Sequence, residues 1–155
     1  MCLYADSEIS RPICPRTYYK VVTEKTRLPF FYPGSGISYK KGAVVKGYEE
    51  HRESYWSSNW KWIRNREYVG GNFGVPVIRD GAIHVFTDLR EAEALLCMAN
   101  TQPSFLSLWV EQHRVFGEFG ELPKFELISV KCRPEHWLAY GTQQDAAYTE
   151  VEVLD

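Results

Sequence analysis

Tyr19, Lys20, His84 and Glu150 have side chains able to do chemistry, but they stand far apart in a chain of 155 residues, and only a fold could gather them. An imidazole titrates near neutral pH and both donates and accepts hydrogen bonds, so His84 suits a ligand cleft. A phenol ring offers a stacking face, a lysine a polar clamp, and a carboxylate such as Glu150 can orient a nucleophile. Converged on one pocket, the four would handle a nucleotide, with Glu150 and His84 as the catalytic pair. Each also has a plainer role. A histidine like His84 is more often a packed residue bonded to backbone. Glu150 and Glu152 alternate along one strand as a solvated edge face would, and that is the role favoured for them.

Trp56, Trp60 and Trp62 form a second set, interleaved with Lys61 and Arg64, that could stack a base, a sugar or a nucleotide. On a helix Trp56 and Trp60 share a face; on a strand Trp60 and Trp62 do. A long loop also needs large apolar anchors, and anchoring is the favoured role. Other chemistries lack their residues. His51, His113 and His136 share no close spacing with His84, so no metal set emerges. Ser35, in Gly34-Ser35-Gly36, lacks the nucleophile elbow and reads as a turn. There is no glycine-rich phosphate loop, and no cofactor is implied. Cys2 would be N-terminal if Met1 were removed, and an α-amine beside a thiol can act as its base; the plainer reading is that Cys2-Leu3-Tyr4 packs.

His84 is positioned by the clearest local pattern in the chain. In Ile83–Phe86, Ile83 and Val85 point one way, His84 and Phe86 the other. Asp88 then suits a helix N-cap, with Glu91 three residues on, and Leu89, Ala92, Leu95 and Ala99 mark one helical face. Thr17–Thr23, Phe125–Cys132 and Thr149–Leu154 read as further strands. Residues 1–16 read as an irregular lead-in, Ile37–Val45 as a short broken strand, and His136–Tyr140 as a connector. Phe105–Phe116 is ambiguous: Leu106, Leu108 and Val110 alternate as in a strand, while Phe105, Leu108 and Trp109 suit a helix. Residues 46–75 read as a long aromatic-rich insertion or lid.

The size fits one domain, 1–155, with its own core. Aromatic residues make up 15% of the chain, which tilts the expectation toward β structure. A net charge of −2 argues against nucleic-acid binding through bulk electrostatics. No apolar run reaches a membrane span, and none resembles a signal peptide. Cys2, Cys14, Cys97 and Cys132 have no CxxC spacing, which fits reduced thiols in a cytoplasm. Cys97 and Cys132 are expected in the core.

Several of these pieces together resemble a group of small phage and bacterial proteins. The matching residues are Met1-Cys2-Leu3, Tyr19-Lys20-Val21, Gly81 with His84 and Phe86, Val130-Lys131-Cys132, Tyr140-Gly141 and Val151–Leu154. The match is sparse over 46–75 and 100–122, and Pro134 follows Arg133 one position earlier than that pattern has it. The resemblance implies a viral or bacterial source. Tyr19-Lys20, Gly81–Asp88 and Glu150 also follow one another in an order similar to ADP-ribosyltransferase-like folds, although Lys20 stands where an arginine or histidine is usual and no Ser-Thr-Ser stretch follows.

The expected fold is therefore α+β, a mainly antiparallel sheet with one packed helix (88–99) and the 46–75 insertion. The expected function is that of a non-enzymatic binding protein of phage or bacterial origin, in a bacterial or infected host cytoplasm. Its partner would be a host protein or a small nucleotide-like ligand, bound through Tyr19, Lys20, His84, Trp56, Trp60 and Trp62. The rival is a nucleotide-handling enzyme with the transferase-like layout. A direct check on the compartment is thiol titration: all four cysteines should react after denaturation without prior reduction, and a loss of two thiols would overturn it.

Overall fold

The computed structural model describes residues 3–6, 8–47, 55, 60–62, 68–70, 77–78 and 81–155. In chain order its strands and α-helices are β1 (Leu3–Tyr4), β2 (Arg16–Thr23), β3 (Val44–Lys46), β4 (Trp60–Trp62), β5 (Tyr68–Gly70), β6 (Val77–Ile78), β7 (Ile83–Phe86), α1 (Leu89–Thr101), α2 (Pro103–His113), β8 (Phe125–Cys132), β9 (Trp137–Tyr140), β10 (Asp145–Tyr148) and β11 (Glu150–Val153). Seven strands form one sheet in the order β3-β11-β8-β2-β7-β10-β9, and every pairing in it is antiparallel. The smaller pairs β1–β6 and β4–β5 stand outside it.

Connectivity forces the sheet to roll. Only Thr149 separates β10 from β11 along the chain, yet the two lie four places apart in the strand order. A flat sheet would set them about 19 Å apart, at about 4.8 Å per strand, whereas one intervening residue spans at most about 7 Å. The sheet therefore curls around a shared interior. Val22, Val130, Val151 and Val153 from one part of it meet Ile83, Val85, Trp137, Ala146 and Tyr148 from the other in a single buried cluster. These residues alternate with outward ones along β7, β8 and β11, as the strand period of two requires.

The outer face is covered in two places. On β2 and β8, the helices bury Val21, Phe30, Ala99, Leu106, Trp109, Val110 and Phe125 together. Phe30 is the hub, with ring centroids 5.1 Å from Phe31, 5.4 Å from Phe125, 5.6 Å from Trp109 and 5.9 Å from Phe105. Its carbonyl accepts the Trp109 indole N–H at 3.0 Å. On β7, β10 and β9, a smaller core joins Leu3, Ala5, Tyr55, Ile78, Leu138, Ala139 and Ala147. No helix among the described residues is long and apolar enough to cross a membrane.

The α+β, mainly antiparallel architecture matches expectation, and Asp88 caps α1 by accepting the Arg90 N–H at 2.8 Å. The single expected helix is corrected to two. Pro103 sits in the first turn of α2, where its missing N–H costs nothing. Leu106, Trp109 and Val110 then face the core at helical spacing, while Leu108, which both readings placed on the apolar face, is 63% exposed. Cys97 is also corrected: it lies on the solvent side of α1, whereas Cys132 is buried. The lead-in contains β1, and the connector after Pro134 is strand β9. Most of 46–75 lies outside the described residues, so its reading as an insertion does too.

Phe30→Ala should destabilise the protein by about 3–5 kcal/mol, since it empties the centre of an aromatic cluster. Urea unfolding followed by circular dichroism measures this, and a loss below about 1 kcal/mol would show that the cluster does not hold the helices.

Candidate functional site

The two outer cores meet at the joint between β7 and α1, and a cavity of about 100 Å³ remains between them, lined by Leu3, Phe31, His84, Val85, Phe86, Glu91, Gln143 and Asp145. For scale, an apolar cavity of about 150 Å³ holds a benzene ring. Each wall has a local cause. The alternation in β7 turns His84 and Phe86 outward. β10 pairs so that Asp145 lies opposite Phe86 and Ala147 opposite His84. His84 and Asp145 are thus diagonal neighbours on one face, a relation that sets Cβ atoms about 7–8 Å apart. Glu91 comes from the first turn of α1. Phe31 meets Phe86 with centroids 6.0 Å apart and closes the apolar side.

Asp145 depends on a glycine. A Cβ on Gly141 would fall 1.9 Å from the Asp145 Oδ1 and 2.9 Å from Leu3, so only glycine leaves room for both pocket residues. The Asp145 carboxylate accepts the Gln143 N–H at 3.3 Å. Burial nevertheless raises its pKa, with the backbone hydrogen bonds acting the other way. The His84 imidazole is oriented by Nδ1 against the Ala82 carbonyl at 3.1 Å. Among the described residues, the lining carries carboxyl groups, an amide and an imidazole over aromatic and aliphatic carbon, and no lysine or arginine. Such a lining suits a ligand that donates hydrogen bonds or carries positive charge.

Behind this pocket lies the one buried lysine among the described residues. Tyr19 and Lys20 are neighbours on a strand and so point oppositely. Tyr19, half-buried, pairs with Phe86 on the pocket side, though it does not line the cavity. Lys20 points into the rolled sheet and is 4% exposed. Its Nζ donates to the His84 carbonyl at 2.6 Å and sits 4.9 Å from the centre of the Tyr39 ring. Burial lowers the Lys20 pKa from 10.5 to about 7, and the nearby Cys132 acts against that fall. Burial likewise pushes the Cys132 thiol up to about 12, with Lys20 pulling it down. The phenols of Tyr18, Tyr39 and Tyr148 are raised well above their usual range, again chiefly by burial. Tyr18 and Tyr140 share a hydroxyl hydrogen bond of 2.7 Å.

Glu150 lies on the outer face of β11, three strands from β7. It takes the His136 Nε2 at 3.0 Å and Lys46 at 3.9 Å, while Glu152 pairs with Arg133 at 3.1 Å. The four residues of the transferase-like layout are therefore split: Tyr19 and His84 share a side, Lys20 lies inside, and Glu150 is elsewhere. Trp60 and Trp62 belong to β4, whose side chains lie outside the described residues, as does Trp56. Among the described residues no group of His, Cys, Asp and Glu could hold a metal. Sequence reasoning named His84 but missed Asp145, Gln143 and Phe31. Only the Gly141 turn, followed shortly by an acid, hinted at them. Compared with family models, with curated proteins and with solved structures, the chain matches none.

The buried groups set a pH profile. Lys20 holds its proton less tightly when folded, so the unfolded chain binds more protons between pH 7 and 10.5, and stability rises with pH across that window. Cys132 has the opposite sign: its contribution is complete below pH 9 and is lost as pH climbs toward 12. Stability should therefore gain about 2 kcal/mol from pH 7 to pH 9, then decline as Cys132 and the tyrosines take over. Lys20→Met should remove the rising limb. A wild-type Tm that is flat from pH 7 to 9 would contradict this.

Proposed function

We propose that the protein is a non-enzymatic binding protein whose pocket at the β7–α1 joint takes a small organic cation with a short aliphatic body, since the hollow is smaller than one that holds a benzene ring. The observation that carries this reading is the lining itself: Glu91 and Asp145 over Phe31 and Phe86, with no lysine or arginine among the described lining. An ammonium group would satisfy the carboxyl groups through charge-assisted hydrogen bonds, and the rings would cover the carbon skeleton and add cation–π attraction. Small-molecule sites commonly have this composition, a mostly apolar hollow with a few convergent polar groups. The resemblance to small phage and bacterial proteins supports a phage or bacterial origin, and the cysteines without CxxC spacing support a cytoplasmic setting. The nucleotide-handling alternative is less well supported, because it needs the Lys20 and Glu150 side chains in one pocket with the His84 imidazole, and neither lines it.

Titration of the ¹⁵N-labelled protein with isobutylamine tests the reading, with isobutanol as the neutral control. Shifts should centre on His84, Phe86, Glu91 and Asp145. The alcohol, and the Glu91→Gln and Asp145→Asn variants, should bind about tenfold more weakly or worse, a loss of about 1.4 kcal/mol. Equal affinity for amine and alcohol, or shifts centred elsewhere, would overturn the proposal.

A further inference from the structure

The β2–β7 boundary is the weak line of the rolled sheet. β2 pairs with β8 from Arg16↔Cys132 to Thr23↔Phe125, and β7 pairs with β10 along its whole length. Between β2 and β7 the register contains one pair, Tyr19↔Phe86. Just past that pair the Lys20 side chain spans the gap, its Nζ on the His84 carbonyl. The same strand supplies His84, Val85 and Phe86 to the pocket. The seam is therefore at once a wall of the pocket and the line of the sheet with the fewest paired residues.

We infer that this seam is a proton-triggered gate in the pocket wall, with Lys20 as its latch: uptake of a proton at Lys20 favours separation of β2 from β7. The groups around the amine make it a latch. From β7 it meets a carbonyl and from the segment before β3 the Tyr39 ring, while the thiol of Cys132 on β8 is near enough to act on its charge. The carboxyl of Asp145 and the imidazole of His84 line the pocket on the outer side of β7. An ammonium inside the sheet has a carbonyl and a ring in place of its water, so its charge is best relieved by opening the seam and admitting solvent. A neutral amine makes no such demand and leaves the seam shut. Closed, Lys20 holds its proton with a pKa of about 7; hydrated, it returns to the ordinary lysine range. Opening and protonation are thus linked, and local separation of two strands is an ordinary sub-global motion.

Hydrogen exchange on the full chain at pH 6, 7, 8 and 9, corrected for intrinsic rates, tests the gate. The opening constant at Ile83–Phe86 should be about tenfold larger at pH 6 than at pH 8, and larger throughout than at Phe125–Cys132. Lys20→Met should abolish the pH dependence. A pH-independent opening constant at β7 in the wild type overturns the gate, as does protection equal to that of β8, because opening would then be global unfolding. That the gate serves a ligand rests on the reading of the pocket. Saturating isobutylamine at pH 6 should suppress β7 opening. If it binds at the pocket and leaves opening unchanged, the coupling is wrong. If it does not bind, the pocket reading fails while the pH series still decides the gate.

Discussion

Lys20 puts an amine where water does not reach, and the surrounding structure is arranged around that fact. No carboxylate shares the interior with it among the described groups that influence its charge; a backbone carbonyl, a phenol ring and a thiol do. Such an environment stabilises the neutral form. The tyrosines and the cysteine nearby are driven the same way, each toward the uncharged state. The interior is mostly apolar, and the few polar groups within it are close to neutral in charge. It can therefore pack as a core while still holding groups that respond to solvent if it is opened.

The outer layer has a different logic. Helices cover one stretch of the sheet through the aromatic cluster at Phe30, and β1, Ile78 and Tyr55 cover another. Neither cover extends over the β7–α1 joint, and the cavity is the space left between them. A residue there must come from several directions at once: Leu3 from the chain's beginning, Glu91 from a helix turn, Asp145 from a strand shaped by the bare backbone of Gly141. Sites assembled in this way are defined by how layers meet, which local sequence does not encode.

That difference explains what could be read in advance. Ile83–Phe86 with Asp88 was legible because alternation and a cap are local signals, and the observed strand and N-cap follow them. The strands β2, β8 and β11 were legible for the same reason. Asp145–Tyr148 was not, because Ala146 and Ala147 lack the β-branched or aromatic character of a strand. They are small because they are buried against Trp137, Leu138 and Leu3, a tertiary demand. As a polar clamp in a ligand pocket, Lys20 was expected to be accessible, and lysines are almost never fully buried. Only the rolling of the sheet put it inside. The partners of Glu150 were likewise invisible, because Lys46 and His136 arrive from distant segments.

The run from Asp145 to Val153 serves two places in one sheet, and this has a consequence for synthesis. Until these residues exist, β7 lacks the partner along its far side, and β8 lacks the neighbour that connects it to β3. β2 must wait as well, since Lys20 finds its register opposite Ile128. Nascent chain emerging from a ribosome would thus carry strands with open edges for most of its length, and closure would come in one late step. Topologies dominated by such distant pairings fold slowly, and open edges invite pairing with other chains. Production at low temperature, or with a holding chaperone, should consequently raise the yield of folded protein.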